Sequence, residues 1–400
     1  MVFLCSGLEP GQDGVGDYTR RLAGQLIRQQ HTAAVVALND GAMRDADDAI
    51  LEIEGLRVPA LRLSRTLPWS VRSERAAQWI HSQRPDWISV QFVCFGFHPK
   101  GLPFGLPGRF ERIIGQTPAH WMFHELWVGR GKQQAWKFRT WGALQRLIVL
   151  NAHRRVAPRA THTSTDAYAV SLHQCGVHAE ILPIFSNIPV ARVTGIMARE
   201  LETLGIAQAD RGGWVLVGIF GTVQPGPYTN DWIDDLADRA AAVGRRVAVL
   251  GIGRLDPLGR EKFGALGQGC RGKPLIHHFG ARSAEHISEF LQTVDGGIAT
   301  TEQAALGKSG TVAAMREHDL PMLVVRGESH ETEAQARLRL RAAMDDFLGH
   351  LHRARRPQGD RLLREVAGQL AGRLQALGNR GGAQPAGDEK NAAAAKSSRG

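Results

Sequence analysis

Cysteine, aromatic residues and long apolar runs are all scarce in this chain of 400 residues, and each scarcity removes a class of protein. Cys5, Cys94, Cys175 and Cys270 lie far apart, with no CxxC and no histidine nearby at ligand spacing. That argues against structural zinc and against a disulfide framework, and it fits a reducing cytoplasm. No apolar run approaches the ~20 residues that a membrane span needs. The opening Met1-Val2-Phe3-Leu4-Cys5 is too short and lacks the basic start of a signal peptide. A soluble, cytoplasmic protein is expected, at most peripheral to a membrane. Two nucleotide motifs are incomplete as well. Gly14 and Gly16 are not followed by a third glycine or alanine near position 19, which weakens a nicotinamide site. Glu302 stands where a Walker A loop ending at Gly307-Lys308-Ser309 needs its first glycine.

What remains is an ordinary globular composition, 43% apolar and 6% aromatic, in a chain longer than one core usually organises. Two domains are expected. The net charge of +10 is concentrated at the end, where residues 350–400 hold ten Arg and Lys against four Asp and Glu. A spread-out basic surface for nucleic acid is therefore not expected, whereas the basic C-terminal region offers peripheral contact with an anionic membrane. From Gly378 the chain is Gly, Ala, Ser, Gln, Asn and Lys with hardly a large apolar side chain, so residues 378–400 are expected to be a disordered tail.

Short apolar strands alternate with helical periodicity along the rest. Strands are expected at 2–5, 33–38, 87–93, 113–114, 161–163 and 181–182, with helices after Asp17 as N-cap and at 71–83, 133–156 and 166–175. The segment Pro183-Ile184-Phe185-Ser186-Asn187-Ile188-Pro189 breaks the pattern with two prolines. A second series follows, with strands at 214–220, 246–250, 275–279, 296–300 and 322–325 and helices at 231–243, 284–291 and 312–318. Strand-helix alternation on this scale predicts α/β architecture, two Rossmann-like doubly wound parallel sheets. The expected organisation is 1–187, then 188–330, then closing helices over 331–377.

The most pointed motif is Gly307-Lys308-Ser309-Gly310-Thr311, which follows the apolar run 297–300 and opens a helix. Free backbone N–H groups at a helix start, with Lys308 as counter-charge, suit a phosphate. Gly14 and Gly16 join the first strand to the first helix in a similar way. His124 and Glu125 lie in Trp121-Met122-Phe123-His124-Glu125-Leu126-Trp127. A neutral imidazole can hydrogen-bond a sugar hydroxyl, and a carboxylate can orient it or accept a proton, although neighbours on a strand face opposite ways. Asp45-Ala46-Asp47-Asp48 matches a metal-binding DxD but reads as a solvated polar loop, and no metal is expected. His277-His278 reads as structural. Trp136, Phe138 and Trp141 among Lys132, Lys137 and Arg139 read as a half-buried helix rather than a nucleic-acid surface.

The stretch from Gly11 to Ala23, the segment 122–127, the linker stretch 182–189 and the glycine turn Ile219-Phe220-Gly221-Thr222 together resemble family 4-type GT-B glycosyltransferases over roughly residues 1–350. The resemblance implies two domains facing across a cleft, no bound metal or cofactor, a nucleotide diphosphate sugar as co-substrate, and a carbohydrate or other hydroxyl acceptor. It implies donor contacts from Gly14, Gly16, Gly221 and Thr222, a cleft-facing catalytic residue at His124, and retention of anomeric configuration. The helix-start chemistry adds Lys308, Ser309, Gly310 and Thr311 to the expected donor contacts, and Glu125 stands beside His124 as a catalytic candidate. The chain departs from the pattern in two places. Gln224, Pro225, Gly226 and Pro227 stand where such enzymes place an Arg and a Lys, and Ala305 and Ala313 stand where they carry two glutamates. Glu302 and Lys308 are the expected substitutes. The alternative is a catalytically degenerate nucleotide- or sugar-binding protein on the same scaffold.

Overall fold

Two parallel sheets organise the chain in a computed structural model that describes residues 1–130, 135–221, 223, 231–328, 331–351 and 355–381. The first contains β1 (Val2–Cys5), β2 (Ala34–Asp40), β3 (Ala46–Ile53), β4 (Leu56–Ser64), β5 (Ile88–Phe92), β6 (Ala119–Phe123), β7 (Ala160–Thr163) and β8 (Glu180–Ile181). Their order is β3-β4-β2-β1-β5-β6-β7-β8, parallel except for the β3–β4 pair. The second contains β9 (Trp214–Phe220), β10 (Arg246–Ile252), β11 (Leu275–His278), β12 (Gly296–Ala299) and β13 (Met322–Val324), in the order β11-β10-β9-β12-β13 and parallel throughout.

The central strands are buried along their whole length, because helices cover both faces of each sheet. On the first sheet, α2 (Trp69–Gln83), α3 (Cys94–Phe97), α4 (Leu106–Ile114), α5 (Trp136–Val156) and α6 (Asp166–His173) take one face, and α1 (Gly14–Arg28) the other. On the second, α8 (Asp231–Ala242), α9 (Pro257–Ala265) and α12 (Glu333–His350) face α7 (Ile196–Thr203), α10 (Ala284–Thr293) and α11 (Gly310–Glu317) across the strands. The last helix, α13 (Arg361–Gly381), returns to the first sheet. Leu363, Val366, Ala367, Leu370 and Leu374 are buried there with Leu22 and Leu26 of α1. It also extends past Gly378, where a disordered tail was expected to begin, and the rest of that tail lies outside the described residues.

Several local expectations are corrected. Asp13, not Asp17, caps α1: its carboxylate accepts from Val15 N at 3.0 Å, which places Gly14 and Gly16 in the first helical turn. Ile113-Ile114 ends α4 rather than forming a strand, and β6 takes the place beside β5. Asp47 and Asp48 belong to β3, not to a loop. Glu54 and Gly55, both with positive φ, close a two-residue hairpin between β3 and β4. All four cysteines are free thiols. Helix α5 is half-buried, with Gly142, Gln145, Ile148 and Val149 inward and Trp136 and Phe138 outward.

Candidate functional site

In an open parallel sheet, ligands bind beyond the strand carboxyl ends where the connections change direction. In the first sheet that point lies between β1 and β5, because β2 leaves β1 on one side and β5 joins it on the other. In the second it lies between β9 and β12. The carboxyl ends of the two sheets face each other. Gln12, from the loop after β1, accepts a 2.9 Å hydrogen bond from Arg254 after β10. Tyr168 of α6 accepts one of 2.8 Å from Lys308, which follows β12.

On the first-sheet side, Gly16 is where α1 meets the β1 loop. A Cβ there would lie 2.3 Å from the carbonyl oxygen of Gly7, so only glycine allows this approach. The Gly14 carbonyl accepts from Asn187 Nδ2 of the linker at 3.0 Å. Ser6 Oγ donates to Asp13 at 2.9 Å, which holds the loop against the helix start. Arg21, buried on α1, binds Glu54 at 2.6 Å, Asp360 at 2.5 Å and the Ser186 carbonyl. One guanidinium thereby ties the β3–β4 turn, the linker and the approach to α13 to one helix.

His124 follows β6 and is buried, with Tyr18 against it edge-on at 4.8 Å between ring centroids. Its Nε2 pairs with Gln91 Oε1 at 2.8 Å, and burial pushes its pKa down to about 3. It is a neutral ring and a poor proton acceptor at physiological pH. Glu125 is exposed; both residues lie beyond the end of β6, so strand alternation does not govern them.

On the second-sheet side the expected loop is more ordered than its sequence suggested. Residues Gln303–Lys308 form a 3₁₀ turn, and Ser309 caps α11 by accepting from Val312 N at 3.3 Å. The space around Gly310 is open. Gly221 has a φ of +76°, and a Cβ added to it would lie 3.2 Å from Thr311 Oγ1. The turns after β9 and β12 thus converge on the N-terminus of α11. Thr222 lies outside the described residues, as do Gln224, Pro225, Gly226 and Pro227. Glu302 stands 3.9 Å from Arg326, which follows β13. Ala313 is buried on α11.

The geometry therefore joins Gly221 with Thr311, and Gly14 and Gly16 with the linker and the β1 loop. Lys308 bridges the two sheets, and Glu125 stands apart. Sequence reasoning missed Gln91, Tyr168 and Arg254. Of these only Arg254 carried a local signal, a basic residue directly after the glycines that end β10. Among the described residues no group of three or more His, Cys, Asp or Glu side chains is placed to hold a metal ion. Among the same residues no helix is long and apolar enough to cross a membrane.

Solved structures of the same architecture match nearly the whole chain. An α,α-trehalose 6-phosphate synthase from Burkholderia multivorans superposes with a TM-score of 0.51 at 11% identity, covering 95% of this chain and 99% of its own. The catalytic domain of starch synthase IV from Arabidopsis thaliana, bound to ADP and acarbose, gives 0.53 at 14% identity, covering 95% and 98%. The chain has a GT-B glycosyltransferase-like fold. A glycosyltransferase from Rickettsia africae gives 0.53 at 10% identity, covering 95% and 96%. No protein-family model and no curated protein sequence matches the chain. At these identities the likeness is one of GT-B architecture.

Proposed function

We propose that the protein transfers a sugar from a nucleotide diphosphate sugar to a hydroxyl acceptor, with the donor diphosphate at the N-terminus of α11 and the acceptor against the first sheet. The observation that carries this reading is the placement of Lys308, Gly310 and Thr311 at the switch point of the second sheet, with Lys308 reaching Tyr168 of the first-sheet side and Arg254, after β10, reaching Gln12 of the glycine-rich loop. In the reaction the bond from the anomeric carbon to the diphosphate oxygen breaks, and the diphosphate leaves with its electron pair. The acceptor oxygen bonds to the same carbon, and its proton passes to the departing phosphate oxygen. Charge accumulates on the diphosphate in the transition state, so a preorganised cation and helix N–H groups stabilise that state more than the ground state. No side-chain base is required, which suits a His124 held neutral and an exposed Glu125. His124 serves as a hydrogen-bonding partner for a sugar hydroxyl. Retention of configuration and independence from metal belong to the same proposal.

Ala305 and Ala313 favour a second reading, a scaffold that binds nucleotide or sugar without turnover. One experiment separates the two. Purified protein is incubated, with EDTA, with a panel of nucleotide sugars and candidate acceptors, and release of nucleoside diphosphate and product configuration are followed by NMR. Release with a retained glycosidic product supports transfer. Binding of a nucleoside diphosphate with no release from any donor supports the degenerate scaffold.

A further inference from the structure

Behind His124 a line of buried polar side chains crosses the first sheet. Gln91 Nε2 donates to Ser89 Oγ at 2.7 Å, Ser89 Oγ meets His120 Nδ1 at 2.7 Å, and His120 Nε2 meets His162 Nδ1 at 2.9 Å. His162 Nε2 then faces the Glu180 carboxylate of β8 at 3.8 Å, and Glu180 is itself held by Arg373 of α13. The line exists because of strand register: Ser89 is opposite His120, Met122 opposite His162, and His162 opposite Glu180. Ser89, Gln91, His120, His124 and His162 are all buried.

We infer that Glu180, at the far edge of the sheet, fixes which ring nitrogen of His124 carries the proton. Each neutral ring has one donating and one accepting nitrogen, and Ser89 Oγ has no partner outside the line among the described residues, so only two arrangements use every donor within it. In the first, His162 Nε2–H points at Glu180, His120 Nε2–H donates to His162 Nδ1, Ser89 O–H donates to His120 Nδ1, and the Gln91 amide donates to Ser89. Gln91 Oε1 is then left facing His124, which must donate from Nε2 and keep a lone pair on Nδ1. In the second, every link reverses and the Gln91 amide turns over. The His162 Nε2 lone pair then faces the Glu180 carboxylate, and His124 carries its proton on Nδ1. A lone pair against a carboxylate is repulsive and an N–H toward it is attractive, so the carboxylate selects the first arrangement. Burial lowers the pKa of all three histidines, which keeps each ring neutral as both arrangements require. Among the described residues His124 Nδ1 has no partner, so the selection leaves it an acceptor for a hydroxyl. Gln91, Ser89, His120, His162 and Glu180 are then positioning residues for His124. The inference rests on the proposed transfer only for that last consequence, since its readout is a ring-nitrogen shift.

Long-range ¹H–¹⁵N correlation spectra of histidine-labelled full-length protein test it, with His124, His120 and His162 assigned by single substitution. The wild type should show all three as Nε2–H tautomers. In Glu180→Gln the new amide can donate to His162 Nε2, and the Nδ1–H form should appear at all three rings together. Glu180→Ala should give a mixture at the same three rings. Both substitutions are at the half-exposed end of β8, and thermal melting checks that the fold persists. Nδ1–H at His124 in the wild type, or tautomers unchanged in folded Glu180→Gln and Glu180→Ala, would overturn the inference.

Discussion

The switch points of the two sheets share one topology but differ in how their polar groups are used. Around the first sheet they are consumed internally. Asp40 accepts from Arg62 at 2.8 Å, Arg21 holds three segments at once, and the line from His124 to His162 is hydrogen-bonded link by link. Around the second, the space beside Gly310 is open and Lys308 reaches out of its own sheet to Tyr168. One region is a pre-set wall and the other offers positive charge. The proposed transfer would use both, because orientation comes from rigid groups and charge stabilisation from a cation at the donor side.

The largest way to break this contrast is at Arg21. Its guanidinium is buried among partners from three segments, and Arg21→Ala takes this donor from Asp360 and the Ser186 carbonyl and leaves Glu54 with Arg28 alone. A loss of about 3–5 kcal/mol in unfolding free energy is expected by urea denaturation. A loss under about 1 kcal/mol, the size of an exposed ion pair, would deny the clamp. Next in size is Gly16→Ala. The approach to Gly7 O forces backbone to move, at a cost of about 1–3 kcal/mol, and a neutral result would mean that the β1 loop yields freely.

Titration sets the buried histidines of the first sheet against a buried carboxyl beside the second. His120, His124 and His162 have folded pKa values below the unfolded value of about 6.5. The unfolded chain binds more protons in that range, so their contribution is intact above pH 6.5 and is lost as pH falls toward the folded values. Glu317 of α11 behaves oppositely. Buried with one carboxylate oxygen unpartnered, it is raised to about 7, so its contribution is full below about pH 4.5 and is lost as pH rises through 7. Glu317→Gln should therefore leave stability near pH 4.5 unchanged and raise it by roughly 2 kcal/mol above pH 7. Denaturation curves at both pH values check this, and an equal effect at both would show that the carboxyl does not titrate as described.

The smallest effect in stability is a diagnostic one. Gly310 has open space and sits in the first turn of α11, so Gly310→Ala should stabilise by about 0.5–1 kcal/mol. The added methyl stands where a phosphate would approach, so nucleoside diphosphate affinity should fall at the same time. Stability and affinity rising together would place the anion elsewhere.

The sequence makes the second sheet more legible than the first, and the reason is physical. Trp214–Phe220 is a continuous apolar run and α11 follows a serine cap, so local pattern and final structure coincide. In the first sheet the β3–β4 hairpin hides behind charged residues on an exposed edge, and its only signal is Glu54-Gly55 between alternating apolar positions. The glycine motif and Lys308 were legible as site candidates because their chemistry is local. The histidine line was not, since it depends on register between strands 31 and 42 residues apart in sequence. The Lys308–Tyr168 bridge spans 140 residues and was equally invisible.

The central claim is that Lys308 and the start of α11 form the donor diphosphate site, and calorimetric titration with UDP, GDP, ADP and TDP tests it most directly. One of these should bind the wild type, and Lys308→Ala should weaken that binding roughly 10- to 100-fold, as expected for loss of one charge-assisted contact, while the melting temperature stays close to that of the wild type. No binding by any of the four, or unchanged affinity in Lys308→Ala, would contradict the claim.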